Sequence, residues 1–461
     1  MKIPYEEALQ TSTRNRLSKF PTRADDRLEP FAKPSFETGI VLKLGDTIIT
    51  MGSCFARNIE EYLGTIGFVV PVLDYSGPLE ETGTRGRVQG ILNKYTVASI
   101  HQEIAWVKAV RDAGGRVTRE MIAPMVYQTE SGGWMDLHLS SDHPVSEERL
   151  IERRQVIHDI HVRMFDSDLV VITPGLTEAW FDEHTGLYIQ QAPSRAMAKA
   201  HPSRFYLEVL DFHQCFEMLD ESVRILRDAG TRQIALTVSP VPLARTMTAK
   251  DVLIANTYSK CTLRSVVGLL SDRYDLVHYI PSYERVMLTK QADVWNDDLR
   301  HVTDHFVGGI VSTFAAAAGQ HSEDTTGLFL DFNTACKAED FDKAGRLFAE
   351  IERDVKESGR DFERIPTFEF HKNACALMVG TGRAEEALRF AAILRSIRPH
   401  KAIGYIREVS LRIKRREKEK AVEIALAGLK SCDEMSVKWL WKTIDKKFDP
   451  KTRARIHASV G

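Results

Sequence analysis

Residues 48–62, Ile48-Ile-Thr-Met-Gly-Ser-Cys-Phe-Ala-Arg-Asn-Ile-Glu-Glu-Tyr62, decide the fold. They read as a buried strand that breaks at Gly52 and turns straight into a helix, with Ser53 and Cys54 on its first turn. The first N–H groups of a helix have no acceptor within it and carry partial positive charge. Such a start can lower the pKa of a thiol and hold a developing oxyanion, and α/β hydrolytic enzymes place a nucleophile there. The same letters also describe a plain strand-to-helix corner in which Gly52 permits the turn and Cys54 packs in the core.

Outward from this corner, apolar runs alternate with helical periodicity over residues 35–320. Helices are predicted near 92–113 and 146–165. Leu169–Thr173 and Ile234–Val238 are rich in β-branched residues and are predicted central strands, with Leu276–Tyr279 a further one. Strands alternating with helices give an α/β fold, a parallel sheet covered on both faces, and ligands of such sheets bind at the carboxyl ends of the strands. The loops after Met51, Thr173 and Val238 are therefore the candidate site loops.

After residue 325 the pattern becomes continuous amphipathic helix. Phe341-Asp-Lys-Ala344, Ala384-Glu-Glu-Ala387 and Lys418-Glu-Lys-Ala-Val422 open similar stretches, and the step from Ala387 to Ala421 is 34 residues, the tetratricopeptide period. The step from Ala344 to Ala387 is 43 residues, so one repeat carries an insertion or lies out of register. The chain thus divides into a polar, proline-bearing arm over residues 1–34, an α/β domain over 35–324 and an all-α, tetratricopeptide-like region over 325–461. That last region is expected to bind a protein partner or to cover the α/β domain. The basic run from Lys414 to Lys420 reads as a solvated helix face.

Composition sets the outer bounds. Of 461 residues, 43% are hydrophobic and 27% charged, with a formal net charge of −2, which describes a globular chain of two or three domains. Near neutrality argues against a nucleic-acid partner bound by phosphate neutralisation. Neither a secretory signal nor a stretch of about eighteen apolar residues is found, so no transmembrane segment is expected. Six cysteines stand without a CxxC pair or metal-like spacing. Free thiols, no metal site and a cytoplasmic location follow as expectations.

The order Met51-Gly-Ser-Cys-Phe-Ala56 resembles the motif that names the GSCFA family, which is grouped with the SGNH hydrolases. Gly90–Thr96, Leu169–Trp180, Leu236–Pro242, Asn256–Lys260 and Tyr279–Glu284 are also similar to that family. The resemblance covers residues 35–315 and implies a three-layer parallel sheet of SGNH or flavodoxin-like type.

A nucleophile needs a base, and Trp295-Asn-Asp-Asp-Leu-Arg-His301 supplies one. Asp298 and His301 are three apart, so on a turn or helix start they share a side and the carboxylate can fix the imidazole tautomer. Asp297 and His305 are neighbouring alternatives. The resemblance implies the same pair, because SGNH hydrolases carry acid and base as Asp-x-x-His near the end of the domain. Laying Gly52-Ser53-Cys54 on their Gly-Asp-Ser puts Cys54 at the attacking position, where a thiol paired to His301 suits a thioester intermediate. An offset of one residue makes Ser53 the nucleophile and Cys54 structural. SGNH enzymes draw further oxyanion donors from a Gly and from the Asn of Gly-x-Asn-Asp. The matching segment here, Thr173-Pro-Gly-Leu-Thr-Glu-Ala-Trp180, has no Asn. Gly175 is expected to offer a backbone N–H and Thr177 a hydroxyl, with Gly90 and Asn93 on the other loop. Glu178 is placed to contact a substrate hydroxyl and Trp180 a sugar face, although an aromatic after a strand more often packs.

The leading expectation is an SGNH-type acyl-handling enzyme, an O-acyl esterase or acyltransferase acting on a bacterial polysaccharide or glycan precursor. No cofactor is expected. The expected cytoplasmic location suits an acyl-coenzyme A donor, although no Gly-rich phosphate cradle is present, and a glycan or other acyl acceptor is the implied partner. The alternative is a non-catalytic, glycan-binding scaffold of a biosynthetic complex. Redox sensing through Cys54 is disfavoured, because no resolving cysteine stands near it in sequence.

Overall fold

The computed structural model describes residues 2–459 apart from 23–24, 36–37, 44, 79–80, 82–87, 142, 319–322, 358–367 and 433. The polar arm carries one helix, α1 (Tyr5–Arg14), with no buried residue. The α/β part opens with β1 (Ile48–Gly52) and α2 (Cys54–Thr65). Next come α3 (Val97–Asp112), α4 (Arg119–Ile122), a hairpin of β2 (Val126–Gln128) and β3 (Trp134–Asp136), and α5 (Glu147–His161). β4 (Leu169–Thr173) leads into an antiparallel sheet of β5 (Glu178–Asp182), β6 (Leu187–Ile189) and β7 (Phe205–Val209), with α6 (Arg195–Ala200) before β7. α7 (Phe212–Ala229), β8 (Ile234–Leu236), α8 (Val252–Arg273) and β9 (Val277–Tyr279) complete the alternation. Three helices follow, α9 (Ser282–Met287), α10 (Gln291–Val294) and α11 (Asp304–Ala317).

The main sheet has the order β1-β4-β8-β9, all parallel, with Gly52 opposite Thr173 and Leu236 opposite Tyr279. Alternate side chains divide between two cores. Ile48, Leu169, Val171 and Ala235 join Phe55, Ile59 and Leu63 of α2 and Phe306, Ile310 and Phe314 of α11 on one face. Ile49, Met51, Val170, Ile172, Ile234 and Leu236 pack with α3, α7 and α8 on the other. Both faces are buried, which is why these strands read as unbroken apolar runs. A single parallel bridge joins Thr47 to Val69 on the far side of β1. The chain thus steps outward past β1 before returning to lay β4 on its other side. That reversal is a switch point, and it opens a crevice beyond the carboxyl ends of β1 and β4.

Local chemistry sets the element boundaries. α3 begins at Val97 rather than near residue 92, because Thr96 and Ser99 form a reciprocal capping box and residues 88–92 make a separate 3₁₀ turn. The antiparallel sheet of β5, β6 and β7 was not legible as strands, each being three to five residues long. Trp180 lies on β5, partly buried against the cluster of Tyr127, Leu137, Ile189 and Met197, so it packs and does not face the crevice.

Among the described residues eight α-helices follow, α12 (Glu323–Lys337), α13 (Phe341–Glu357), α14 (Phe368–Gly380), α15 (Ala384–Ile397), α16 (Ala402–Lys414), α17 (Lys418–Ser431), α18 (Glu434–Lys447) and α19 (Pro450–Ala458). Consecutive helices from α14 to α17 pack as successive pairs. The extra length expected between Ala344 and Ala387 includes residues 358–367, outside the described residues. The basic run is a solvated face with local partners: Arg415 bridges Glu385 and Glu417, and Lys418 bridges Asp449. The boundary expected at residue 324 falls in the first turn of α12, and no break in the core accompanies it. α12 and α14 pack against α2, and one apolar cluster runs from Ile48 through Phe332 and Phe370 to Leu411. Among the described residues no helix is long and apolar enough to cross a membrane.

Candidate active site

Three loop segments meet over the carboxyl ends of β1, β4 and β8, the places the strand pattern singles out. Gly52 is demanded by the first. A β-carbon there would lie 1.9 Å from Thr173 Oγ1 and 2.6 Å from the Thr173 carbonyl, and its φ of +153° suits glycine. Immediately beyond, Ser53 caps α2. Its Oγ accepts the Phe55 N–H at 3.3 Å and donates to Ser239 Oγ at 2.8 Å, and the residue is 4% exposed. Both roles engage its hydroxyl, although Ser53, like Ser239, also lines the cleft. Cys54 is the first residue of α2, is part-exposed and lines the cleft. Its N–H belongs to the first turn and has no acceptor inside the helix, while those of Phe55 and Ala56 are taken by Ser53.

His301 arrives on a closed loop. Trp295 and Val302 bridge its base, the Asn296 N–H bonds the His301 carbonyl at 2.9 Å, and Leu299 adopts a positive φ of 53° at the tip. Asp298 Oδ1 accepts the N–H groups of Arg300 and His301 at 3.0 Å each, and Oδ2 meets His301 Nδ1 at 2.5 Å. These bonds hold the Asp298 carboxyl well below the usual carboxylate range, the His301 backbone N–H contributing most. Asp298 occupies Nδ1 of His301, so the second ring nitrogen is the one left for Cys54, which lines the same cleft. The interaction with Cys54, followed by that with Asp298, raises the imidazole to about 9 against the opposing effect of burial. Cys54, His301 and Asp298 therefore stand in series. Asp297 and His305 lie outside the cleft lining.

The second and third loops are tied together from below. The Gly175 and Leu176 N–H groups both donate to the Tyr95 carbonyl, at 3.0 and 2.9 Å. Gly175 lines the cleft, yet its N–H is spent within the fold and is not the oxyanion donor the sequence suggests. Thr177 is fully buried with its hydroxyl 2.8 Å from Ser259, and Glu178 accepts from the Thr246 hydroxyl at 2.6 Å. Neither reaches the cleft, because the chain enters β5 at once and alternation directs these side chains elsewhere. Gly90 and Asn93 do line it. Asn93 is 4% exposed, its amide donates to the Tyr95 hydroxyl at 3.2 Å, and its Oδ1 is buried with no hydrogen-bond partner. The next residue fixes this loop: the Lys94 N–H donates to the Gly52 carbonyl at 2.7 Å, and its buried ammonium pairs with Glu103 at 2.8 Å.

Lys260 of α8 was not anticipated as a site-forming residue, although Asn256–Lys260 is one of the family-like segments. Its ammonium is buried beneath the cleft and donates to the carbonyls of Gly175 at 2.8 Å and Val241 at 2.7 Å, joining the loops after β4 and β8. Burial pushes it down to about 7, with Cys54 acting in the opposite sense. Asn256 of the same helix accepts the Leu243 N–H at 3.0 Å and so holds the 241–245 stretch that borders the cleft. The cleft encloses about 760 Å³ and is also lined by Tyr95, Ser239, Arg57, Arg245, Arg300 and Asp304. Spacing alone offered no signal for the arginines, which come from α2 and two distant loops.

A family model described as the GSCFA family matches residues 47–314, more than half of the chain. The match begins one residue before β1 and ends within α11, so it encloses the sheet and every residue of the Cys54, His301 and Asp298 series. No curated protein and no solved structure matches the chain.

Proposed function

The chain belongs to the GSCFA family, and from that premise we propose that it is an acyl-handling enzyme in which Cys54 is the nucleophile, His301 moves the proton and Asp298 orients His301. The observation that carries this reading is that Cys54 and His301 line one cleft, with His301 bonded in turn to Asp298. Cys54 Sγ attacks the carbonyl carbon of an ester or thioester while its proton passes to His301. The oxyanion forms beside the free first-turn N–H of Cys54, with the Asn93 amide as second donor once it leaves the Tyr95 hydroxyl. Collapse expels the alcohol or thiol, which takes the proton from His301, and leaves a thioester on Cys54. A hydroxyl of the acceptor then gives its proton to His301, its oxygen bonds the acyl carbon, and the Cys54–acyl bond breaks to restore the pair.

Transfer to a glycan-precursor hydroxyl, with acyl-coenzyme A as donor, is the reaction we favour within this class. The wide cleft and the family resemblance support it. A glycan-binding scaffold is the competing reading, and the engaged Gly175 N–H is the observation in its favour. Incubation with acyl-coenzyme A and p-nitrophenyl esters, read by product release and intact mass, separates the two. An acyl adduct that persists in Ser53→Ala and vanishes in Cys54→Ala supports the enzyme and names the nucleophile. No adduct and no turnover with any donor would move the assignment to the scaffold.

A further inference from the structure

The charges lining the cleft do not balance. Arg57 is offset by Glu60 at 2.9 Å, and His301 by Asp298. Arg245 and Arg300 have no carboxylate within ion-pair distance among the described residues, and Asp304 is the one acidic side chain in the lining. Arg300 adds a second observation: its Nε is buried with no hydrogen-bond acceptor. A guanidinium whose donors are not used up inside the fold keeps its outer N–H groups for an acceptor that enters the cleft. Arg300 also belongs to the loop that carries Asp298 and His301 and lines the cleft with Cys54, so a group held by it shares that cleft with the thiol.

We infer that the cleft selects an anionic substrate, with Arg245 and Arg300 gripping a phosphate or carboxylate group next to Cys54. Planar guanidinium forks suit both anions, in bidentate fashion. The group belongs either to a phosphorylated acyl donor or to an acidic acyl chain or acceptor. The inference deepens the acyl-transfer reading by naming its substrate class, and it takes from that reading only that Cys54 lies in the substrate cleft.

Alkylation of Cys54 by neutral iodoacetamide, followed on the Cys54 peptide by mass spectrometry, tests it without needing turnover. Inorganic phosphate and pyrophosphate represent the phosphorylated source, succinate the carboxylate source, and chloride at equal ionic strength the control. At least one of the three anions should slow alkylation about fivefold in the full-length protein, and the one that protects best names the source. The protection should disappear in Arg245→Gln/Arg300→Gln and return in part in Arg300→Lys. No protection beyond chloride by any of them, or equal protection in the double glutamine variant, overturns the inference. An inert protein that still shows arginine-dependent protection would count against the enzyme and leave the anion site standing. Acyl adducts formed equally fast from acetyl-coenzyme A and uncharged acetyl-pantetheine, in wild type and double variant alike, would do the reverse.

Discussion

At the scale of single residues, Ser53 and Cys54 differ in what their side-chain atoms already do. The Ser53 hydroxyl caps α2 and bonds Ser239, so Ser53→Ala removes a cap worth about 1 kcal/mol and should lower the melting temperature while sparing adduct formation. Cys54 and His301 line one cleft, so His301→Ala should slow Cys54 alkylation at pH 7 by about tenfold or more with the fold intact. An unchanged rate would separate the two side chains functionally. The pH sign follows from the raised imidazole. His301 binds its proton more tightly folded than unfolded, so its contribution to stability is complete below its ordinary value near 6.5 and is lost as pH rises through about 9. Acyl transfer that uses the imidazolium to protonate the leaving group should decline over the same upper window. A rate that stays level to pH 10 would exclude that role. The strand-to-helix corner at Gly52 and the Asp298–His301 bond were legible because each depends on neighbours in sequence, a strand end and an i, i+3 turn. Thr177, Glu178 and the Gly175 N–H were misread because their partners, Ser259, Thr246 and Tyr95, come from remote segments.

Among the elements, the sheet was readable and its supports were not. The central strands announce themselves by continuous apolar runs, whereas the short antiparallel strands beside them owe their existence to pairing with each other. Gly52 and Lys260 show the two kinds of support. Gly52→Ala places a methyl group against the Thr173 hydroxyl and carbonyl of the neighbouring strand, and a loss of about 3 kcal/mol in denaturant unfolding is expected, since overpacking and backbone strain combine. Lys260 fastens α8 to the loops after β4 and β8 as a positioning residue. Its folded value near 7 lies below the unfolded one near 10.5. Between these values the unfolded chain therefore binds the extra proton, and stability rises with pH. Wild type should gain stability relative to Lys260→Met from pH 7 to pH 9, and parallel curves for the two proteins would contradict a lysine neutralised by burial.

For the whole molecule, an α/β part is followed by an all-α part, as the change of pattern implies, but composition cannot say whether the two share a core. They do. Phe55, Ile59 and Leu63 of α2 lie in one apolar cluster with Phe329 and Phe332 of α12 and Phe370 of α14, and Arg398 bridges Asp74 at 2.6 Å across the same junction. α2 is the helix that presents Cys54, so the helical region supports the back of the element whose front bears the thiol. Ending the chain at residue 324 would uncover that back. Each large apolar side chain so exposed costs about 1.5–3 kcal/mol, and two or three of them consume much of the roughly 5–15 kcal/mol that keeps a domain folded. The 1–324 fragment should therefore aggregate or melt well below the full chain, and its Cys54 peptide should lose any distinction from exposed Cys261 in alkylation rate. A fragment that stays monomeric, melts with the intact protein and keeps Cys54 distinct would show that the helices are an added module and that α2 is held by the sheet and α11 alone.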